Sequence, residues 1–141
     1  MPSAPEVLVV DDNVDVADSH ARLLEAFGYR ISTAYSGRAA LALASYIQPW
    51  VVLSDLEMPD LSGYELARCL RREPWGANTY LIAMSGRADF RSRELAREAG
   101  FDCCLTKPAH PEQLLGLIAT AYELARRAAM GTGPTNQIDT D

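Results

Sequence analysis

Apolar runs and helix-period stretches alternate five times along the chain. Val7-Leu8-Val9-Val10 has no polar position, as expected of a strand buried on both faces of a sheet. Asp12 or Asn13 offers an N-cap for a helix whose inward stripe takes in Val16, Leu23, Leu24 and Phe27, with Gly28 placed to end it. Ile31 to Ala34 reads as a second strand, more polar and so nearer a sheet edge. Ser36 caps an alanine- and leucine-rich helix through Ala44 and Ile47, which stops before Pro49. Trp50 to Ser54 is the third strand, and Pro59 and Gly63 forbid its continuation through the loop 56–63. Tyr64 to Glu73 follows as a helix with Leu66, Ala67 and Leu70 inward, ended by Pro74. Thr79 to Met84 is strand four, and Phe90 to Ala99 is a helix capped by Asp89 and stopped by Gly100. Asp102 to Leu105 is strand five. Pro111 suits the first turn of a last helix reaching about Ala129.

Regular strand–helix alternation implies one α/β domain: a doubly wound, five-stranded parallel sheet with helices on both faces and right-handed crossovers. In such sheets, ligands bind beyond the carboxyl ends of the strands, near the switch in strand order. The chemistry-bearing residues collect there. Asp11 and Asp12 follow the first run, Asp55 the third, Ser85 the fourth and Lys107 the fifth. Three acids crowded at one rim repel and favour proton uptake unless a cation joins them. Read alone, the Asp11-Asp12 pair is as much a helix cap as a ligand set, Ser85 a turn residue and Lys107 a solvated cation. It is their shared register that points to a hard-metal and phosphoryl site.

Composition narrows the class. A chain of 141 residues, 48% hydrophobic and 23% charged, is globular. A formal charge of −6 opposes nucleic-acid binding, which needs a basic face. Three cysteines, two of them adjacent, build no disulfide framework, and the start lacks the basic and apolar regions of a secretory signal. With no apolar stretch near 20 residues, the expectation is a cytoplasmic protein without a membrane span. Residues 1–5 read as an N-terminal extension, 6–129 as the domain, and 130–141 as a flexible tail too short and too little basic for a DNA-binding output domain.

The ordered set Val-Asp-Asp-Asn at 10–13, Asp-Leu-Glu-Met-Pro-Asp-Leu-Ser-Gly at 55–63, Met-Ser-Gly at 84–86 and Thr-Lys-Pro at 106–108 resembles the receiver domain of two-component response regulators, the CheY-like relatives of the flavodoxin fold. The resemblance spans roughly residues 6–125 and implies the strand order 2-1-3-4-5. It implies further that Asp55 is the phosphoacceptor for a phosphohistidine on a histidine kinase or histidine phosphotransfer protein. Asp12, Asp55 and the backbone carbonyl of Glu57 would hold Mg2+, or Mn2+ in its place, with Asp11 acting mostly through water. Lys107 would pair with a phosphoryl oxygen. Ser85 would bond another, pulling the loop 86–89 and the helix after it in a two-state switch. The Lys107-Pro108 bond is expected to be cis. Output would pass to a downstream protein, or to a second copy of the chain, through helix 4, strand 5 and helix 5. A stand-alone regulator, a phosphate shuttle and a receiver of a hybrid kinase all fit; Ala99-Gly100-Phe101-Asp102 is similar to hybrid-kinase receivers.

Two features depart from the family or vary within it. Receivers usually carry an aromatic residue three positions before the strand-five lysine, where this chain has Cys104, read as small-residue packing in preference to a redox sensor. Glu57 and Arg87 carry opposite charges beside the site and are expected to meet across its mouth and slow hydrolysis of an acyl phosphate. His20, His110, Trp50 and Trp75 read as ordinary surface or packing residues, and the arginines at 87, 91, 93 and 97 as a solvated face or a partner surface. Two other functions compete: a haloacid-dehalogenase-type phosphatase, for which Asp55-Leu56-Glu57 offers a nucleophile and an acid, and a binding module that is never phosphorylated.

Overall fold

The computed structural model describes residues 6–87 and 89–130. Residues 1–5, expected as an extension, residues 131–141 of the expected tail 130–141, and residue 88 of the loop 86–89 lie outside the described residues. Strands and helices alternate: β1 (Glu6–Val10), α1 (Val14–Ala26), β2 (Arg30–Ala34), α2 (Gly37–Ile47), β3 (Val51–Asp55), α3 (Gly63–Arg72), β4 (Tyr80–Ser85), α4 (Phe90–Ala99), β5 (Cys103–Thr106) and α5 (Pro111–Ala129). The strands pair in parallel in the order β2-β1-β3-β4-β5. The chain runs outward from β1 to β2 and then returns to β3 on the other side of β1, so the order reverses between β1 and β3.

Strand side chains alternate between the two faces. Leu8, Val10, Val52, Leu81 and Ala83 face α2, α3 and α4 in one core, while Val7, Val9, Leu53, Ile82, Met84 and Leu105 face α1 and α5 in the other. Burial of each large aliphatic side chain contributes about 1.5–3 kcal/mol. The three central strands, apolar on both faces, are therefore held firmly, and the residues at their carboxyl ends inherit that positional precision.

Side-chain patterning placed the strand ends one residue short. β3 runs through Asp55, β4 through Ser85 and β5 through Thr106, because the ladder continues by backbone pairing of Asp55 with Met84 and Ser85 with Thr106. α1 is capped by Asn13, whose side chain accepts the Val16 N–H, which leaves the Asp12 carboxylate uncommitted by the cap. Phe27 does not join the α1 stripe. The helix ends at Ala26, the Phe27 N–H closes the last turn onto Leu24, and its ring is 63% exposed; Ala17, Ala21 and Leu24 form the buried stripe. A 3-10 turn over Pro74–Asn78, not anticipated from the sequence, links α3 to β4. The Lys107-Pro108 peptide bond is cis.

Candidate functional site

Asp11 follows β1 directly and Asp55 closes β3, so the reversal of strand order brings the two carboxylates side by side. Oxygens of Asp11, Asp12 and Asp55 lie within 4.8 Å of one another. Asp11 is 1% exposed and Asp55 6%, whereas Asp12 is open to solvent. The Asp11 carboxylate also accepts the N–H of the cap residue Asn13 at 2.9 Å through Oδ1, which leaves Oδ2 to accept from Lys107.

Lys107, immediately beyond β5, reaches back over the sheet end. Its ammonium is 3.2 Å from Asp11 Oδ2 and 3.3 Å from Asp55 Oδ1. Its backbone N–H donates to the Ser85 carbonyl at 2.8 Å, which ties the ends of β4 and β5 together. Burial works against the ammonium's charge, but the combined pull of Asp55 and Asp11 outweighs it and holds Lys107 above its usual pKa. For Asp55 the balance falls the other way. Desolvation disfavours its charge, Asp11 adds repulsion, and the attraction of Lys107 and the Glu57 N–H does not fully compensate, so its pKa is raised. A buried acid left short of positive charge is what a divalent cation would correct.

Ser85 is 2% exposed at the end of β4, and its hydroxyl oxygen accepts the Arg87 N–H at 3.0 Å. The hydroxyl proton remains available for donation, and any rotation of the side chain is felt by the loop that follows. Glu57 and Arg87 face each other at 3.5 Å, 68% and 70% exposed. Cys104 lies apart from the carboxylates, half-buried on the face shared with α4. The arrangement thus unites Asp11, Asp12, Asp55 and Lys107, puts Ser85 on the neighbouring strand end, and sets Glu57 and Arg87 outside them.

The donor set fits Mg2+. It is all-oxygen, formed by converging carboxylates with an open, solvated side at Asp12, as expected for an ion that keeps several waters and bonds to one or two carboxylates plus phosphate.

Sequence reasoning missed the cavity beside this cluster. About 370 Å3 opens between α1 and the 107–109 segment, walled by Asn13, Val16, His20, Met84, Lys107 and Pro108. His20, expected on the surface, is half-buried with Nδ1 enclosed and without a hydrogen-bond partner among the described residues. Burial and the Lys107 charge push its pKa down against the pull of Asp11. The signal was present: Val16 and His20 lie four residues apart within α1, which stacks the two on one helix face.

Comparisons with known proteins agree with this fold. The family model for the response regulator receiver domain matches residues 7–119. The transcriptional regulatory protein PrrA of Mycobacterium leprae is 34% identical over 136 residues, covering 96% of this chain and 57% of PrrA. The virulence sensor protein BvgS of Bordetella bronchiseptica is 37% identical over 145 residues, again covering 96% of this chain but only 12% of BvgS. The chain therefore spans little more than half of one relative and about an eighth of the other. The structure of the chemotaxis protein CheY4 of Vibrio cholerae superimposes with a TM-score of 0.81 at 28% identity, covering 84% of this chain and 99% of CheY4. No helix among the described residues is long and apolar enough to cross a membrane. The fold, the matched span and the strand-end chemistry lead to one assignment: the chain belongs to the response regulator receiver domain family of two-component signalling.

Proposed function

We propose that Asp55 accepts a phosphoryl group from a phosphohistidine, in a Mg2+-dependent reaction, and that the resulting acyl phosphate changes which proteins the domain binds. The observation that carries this reading is the convergence of Asp11, Asp12, Asp55 and Lys107 from three different strand ends onto one point.

Asp55 Oδ is the nucleophile. Its oxygen–phosphorus bond forms as the bond from phosphorus to the donor imidazole nitrogen breaks. Asp12, Asp55 and the Glu57 carbonyl would hold Mg2+, with Asp11 acting through water; when bound, the ion would supply charge neutralisation to the phosphoryl oxygens. Lys107, already between Asp11 and Asp55, moves its hydrogen bond from the free carboxylate to a phosphoryl oxygen. Ser85 donates its hydroxyl proton to another, and the Arg87 N–H follows because it is bonded to that hydroxyl. The chain catalyses only its own phosphorylation and dephosphorylation. The receiver family and the position of Asp55 on the third strand favour this reading over the phosphatase one, and Glu57 is paired with Arg87 at 3.5 Å.

The donor is a histidine kinase or a histidine phosphotransfer protein, whose imidazole approaches over the cavity beside Lys107, and the cytoplasm is the compartment where such a donor is met. Intact-mass spectrometry after incubation with Mg2+ and acetyl phosphate should show one added phosphoryl group, localised to Asp55 and absent from Asp55→Asn and from samples without Mg2+. Modification that persists in Asp55→Asn, or none in the native chain, would overturn the assignment.

A further inference from the structure

The charged pair beside Asp55 is anchored at its backbone ends. The Glu57 N–H donates to Asp55 Oδ1 at 3.4 Å, and the Arg87 N–H donates to Ser85 Oγ at 3.0 Å. Beyond those bonds the two side chains meet at 3.5 Å, 68% and 70% exposed. Such a pair is weakly held, because solvent screens it and two long side chains must give up rotamer freedom to stay together. A bridge that is to persist there needs a third member.

Tyr64 is placed to be that member. It is the second residue of α3 and follows Gly63, whose N–H donates to the Leu56 carbonyl at 2.9 Å. Gly63 lies so near the Asp55 backbone that a Cβ would strike the Asp55 carbonyl, so the start of α3 is fitted to the end of β3. Tyr64 itself is half-buried, packed on the core that contains Leu56 and Met58. Burial is the largest influence raising the pKa of its phenol, and the charges of Glu57 and Arg87 act on the same group in opposite directions. Both members of the pair are therefore neighbours of the ring. The Tyr64 hydroxyl has no hydrogen bond among the described residues, so the ring is what the residue offers. An apolar surface on one side of an ion pair excludes water there and weakens screening. It also gives the methylene stems of glutamate and arginine something to cover.

We propose that Tyr64 is a positioning residue whose ring keeps Glu57 and Arg87 bridged across the mouth of the site and so lengthens the life of the acyl phosphate on Asp55. The inference rests on the phosphorylation reading and deepens it by naming what sets the lifetime. The phosphoryl group is lost when a water oxygen bonds to phosphorus and the bond from phosphorus to Asp55 Oδ breaks. The carboxylate is regenerated, and both protons of the water leave on inorganic phosphate. The bridge acts by restricting the approach of that water.

The test uses the full chain, phosphorylated with acetyl phosphate and Mg2+ and freed of donor by rapid desalting, with loss of the added mass followed at constant Mg2+. Tyr64→Leu should shorten the lifetime about threefold or more, as should Glu57→Ala combined with Arg87→Ala. Tyr64→Phe should keep the native lifetime. Added to the double-alanine chain, Tyr64→Leu should shorten it no further, a non-additivity that general loosening of the fold would not produce. Tyr64→Met, an unbranched side chain without a ring, repeats the test if Tyr64→Leu fails to fold. A native lifetime in Tyr64→Leu, a Tyr64→Phe chain as short-lived as Tyr64→Leu, or an undiminished Tyr64→Leu effect in the double-alanine chain would each overturn the proposal. If the native chain takes no phosphate on Asp55, the phosphorylation reading falls and this inference with it. If Asp55 is modified and the lifetime is indifferent to residue 64, this inference alone falls.

Discussion

Asp55 illustrates how a carboxylate can be held in a site at the expense of stability. Its carboxyl pKa is raised above the ordinary 3.8, chiefly by desolvation. An acid with a higher pKa folded than unfolded binds the extra proton in the native state. That contribution to stability is greatest at low pH and is lost as pH rises through the raised value. Asp55→Asn removes the charge while keeping the shape. In chelator at pH 7, its urea-unfolding midpoint should exceed that of the native chain, and the gap should close near pH 4; a variant less stable at pH 7 would show that the Lys107 attraction prevails instead. The cysteines supply a second residue-scale expectation. With its thiol at about 11, Cys103 should be alkylated by iodoacetamide about tenfold faster for each unit of pH between 7 and 10, with no plateau in that range, as followed by peptide mass spectrometry. The pair Glu57–Arg87 is too exposed to matter for stability, at about 0–1 kcal/mol. Its proposed effect is kinetic: replacing both by alanine should shorten the lifetime of the acyl phosphate, and a lifetime unchanged or longer removes that role.

At the scale of elements, the loop between β3 and α3 is what aims Asp55. Ser62 and Glu65 form a reciprocal capping box at the start of α3, and Asp60 accepts the N–H groups of Gly37 and Arg38 at the start of α2, so one loop is fastened to two helices. Gly63 packs against the backbone of Asp55 and Leu56 so closely that a Cβ would strike the Asp55 carbonyl. Gly63→Ala should therefore cost about 1–3 kcal/mol in chemical denaturation and, on the proposed function, also slow phosphorylation, because the strain falls on Asp55. Arg71 fastens the opposite end of the sheet. Its guanidinium donates to the carbonyls of Gly76, Thr79 and Gly100 and to Asp102, so Arg71→Ala should cost about 1–3 kcal/mol without altering the phosphorylation rate of the folded fraction. These elements differ in how legible they are in the sequence. α4 and α5 are marked at their starts by Asp89 and Pro111, and Gly100 marks the end of α4, so their limits could be read directly. The ends of β3 and β4 could not, since the residues that extend them, Asp55 and Ser85, are polar and are held by the ladder instead of by a side-chain pattern. Arg71 looks like one more solvated arginine until the turn at Pro74–Asn78 folds under it, and that turn has no apolar period to announce it. The carboxylate cluster was readable because each acid follows an apolar run; the cavity at His20 was not, because it exists only once the 107–109 segment stands beside α1.

At the scale of the whole molecule, the site is a junction: β1 supplies Asp11, β3 supplies Asp55, and the end of β5 supplies the only cation, among the described residues, within 4 Å of either. Lys107 acts as the resident counter-charge, and its single ammonium faces two buried acids. A divalent ion bound to the native cluster and not to the unfolded chain would stabilise the fold by mass action, about 2.7 kcal/mol at a concentration a hundred times its dissociation constant. At constant ionic strength set with KCl, Mg2+ should therefore raise the unfolding midpoint of the native chain. In Asp12→Asn and Asp55→Asn most of that increment should vanish, since each variant removes a carboxylate proposed to bind the ion. Lys107→Ala is the more discriminating case. Without Mg2+ it should be less stable than the native chain, because Asp11 and Asp55 are left to repel each other across the β1–β3 switch. On adding Mg2+ it should gain more than the native chain does, because the ion then relieves repulsion that the ammonium no longer screens. Equal increments in the native chain, Asp55→Asn and Lys107→Ala would mean that the ion acts by general screening of a chain carrying a charge of −6, and that the three carboxylates do not function as one site.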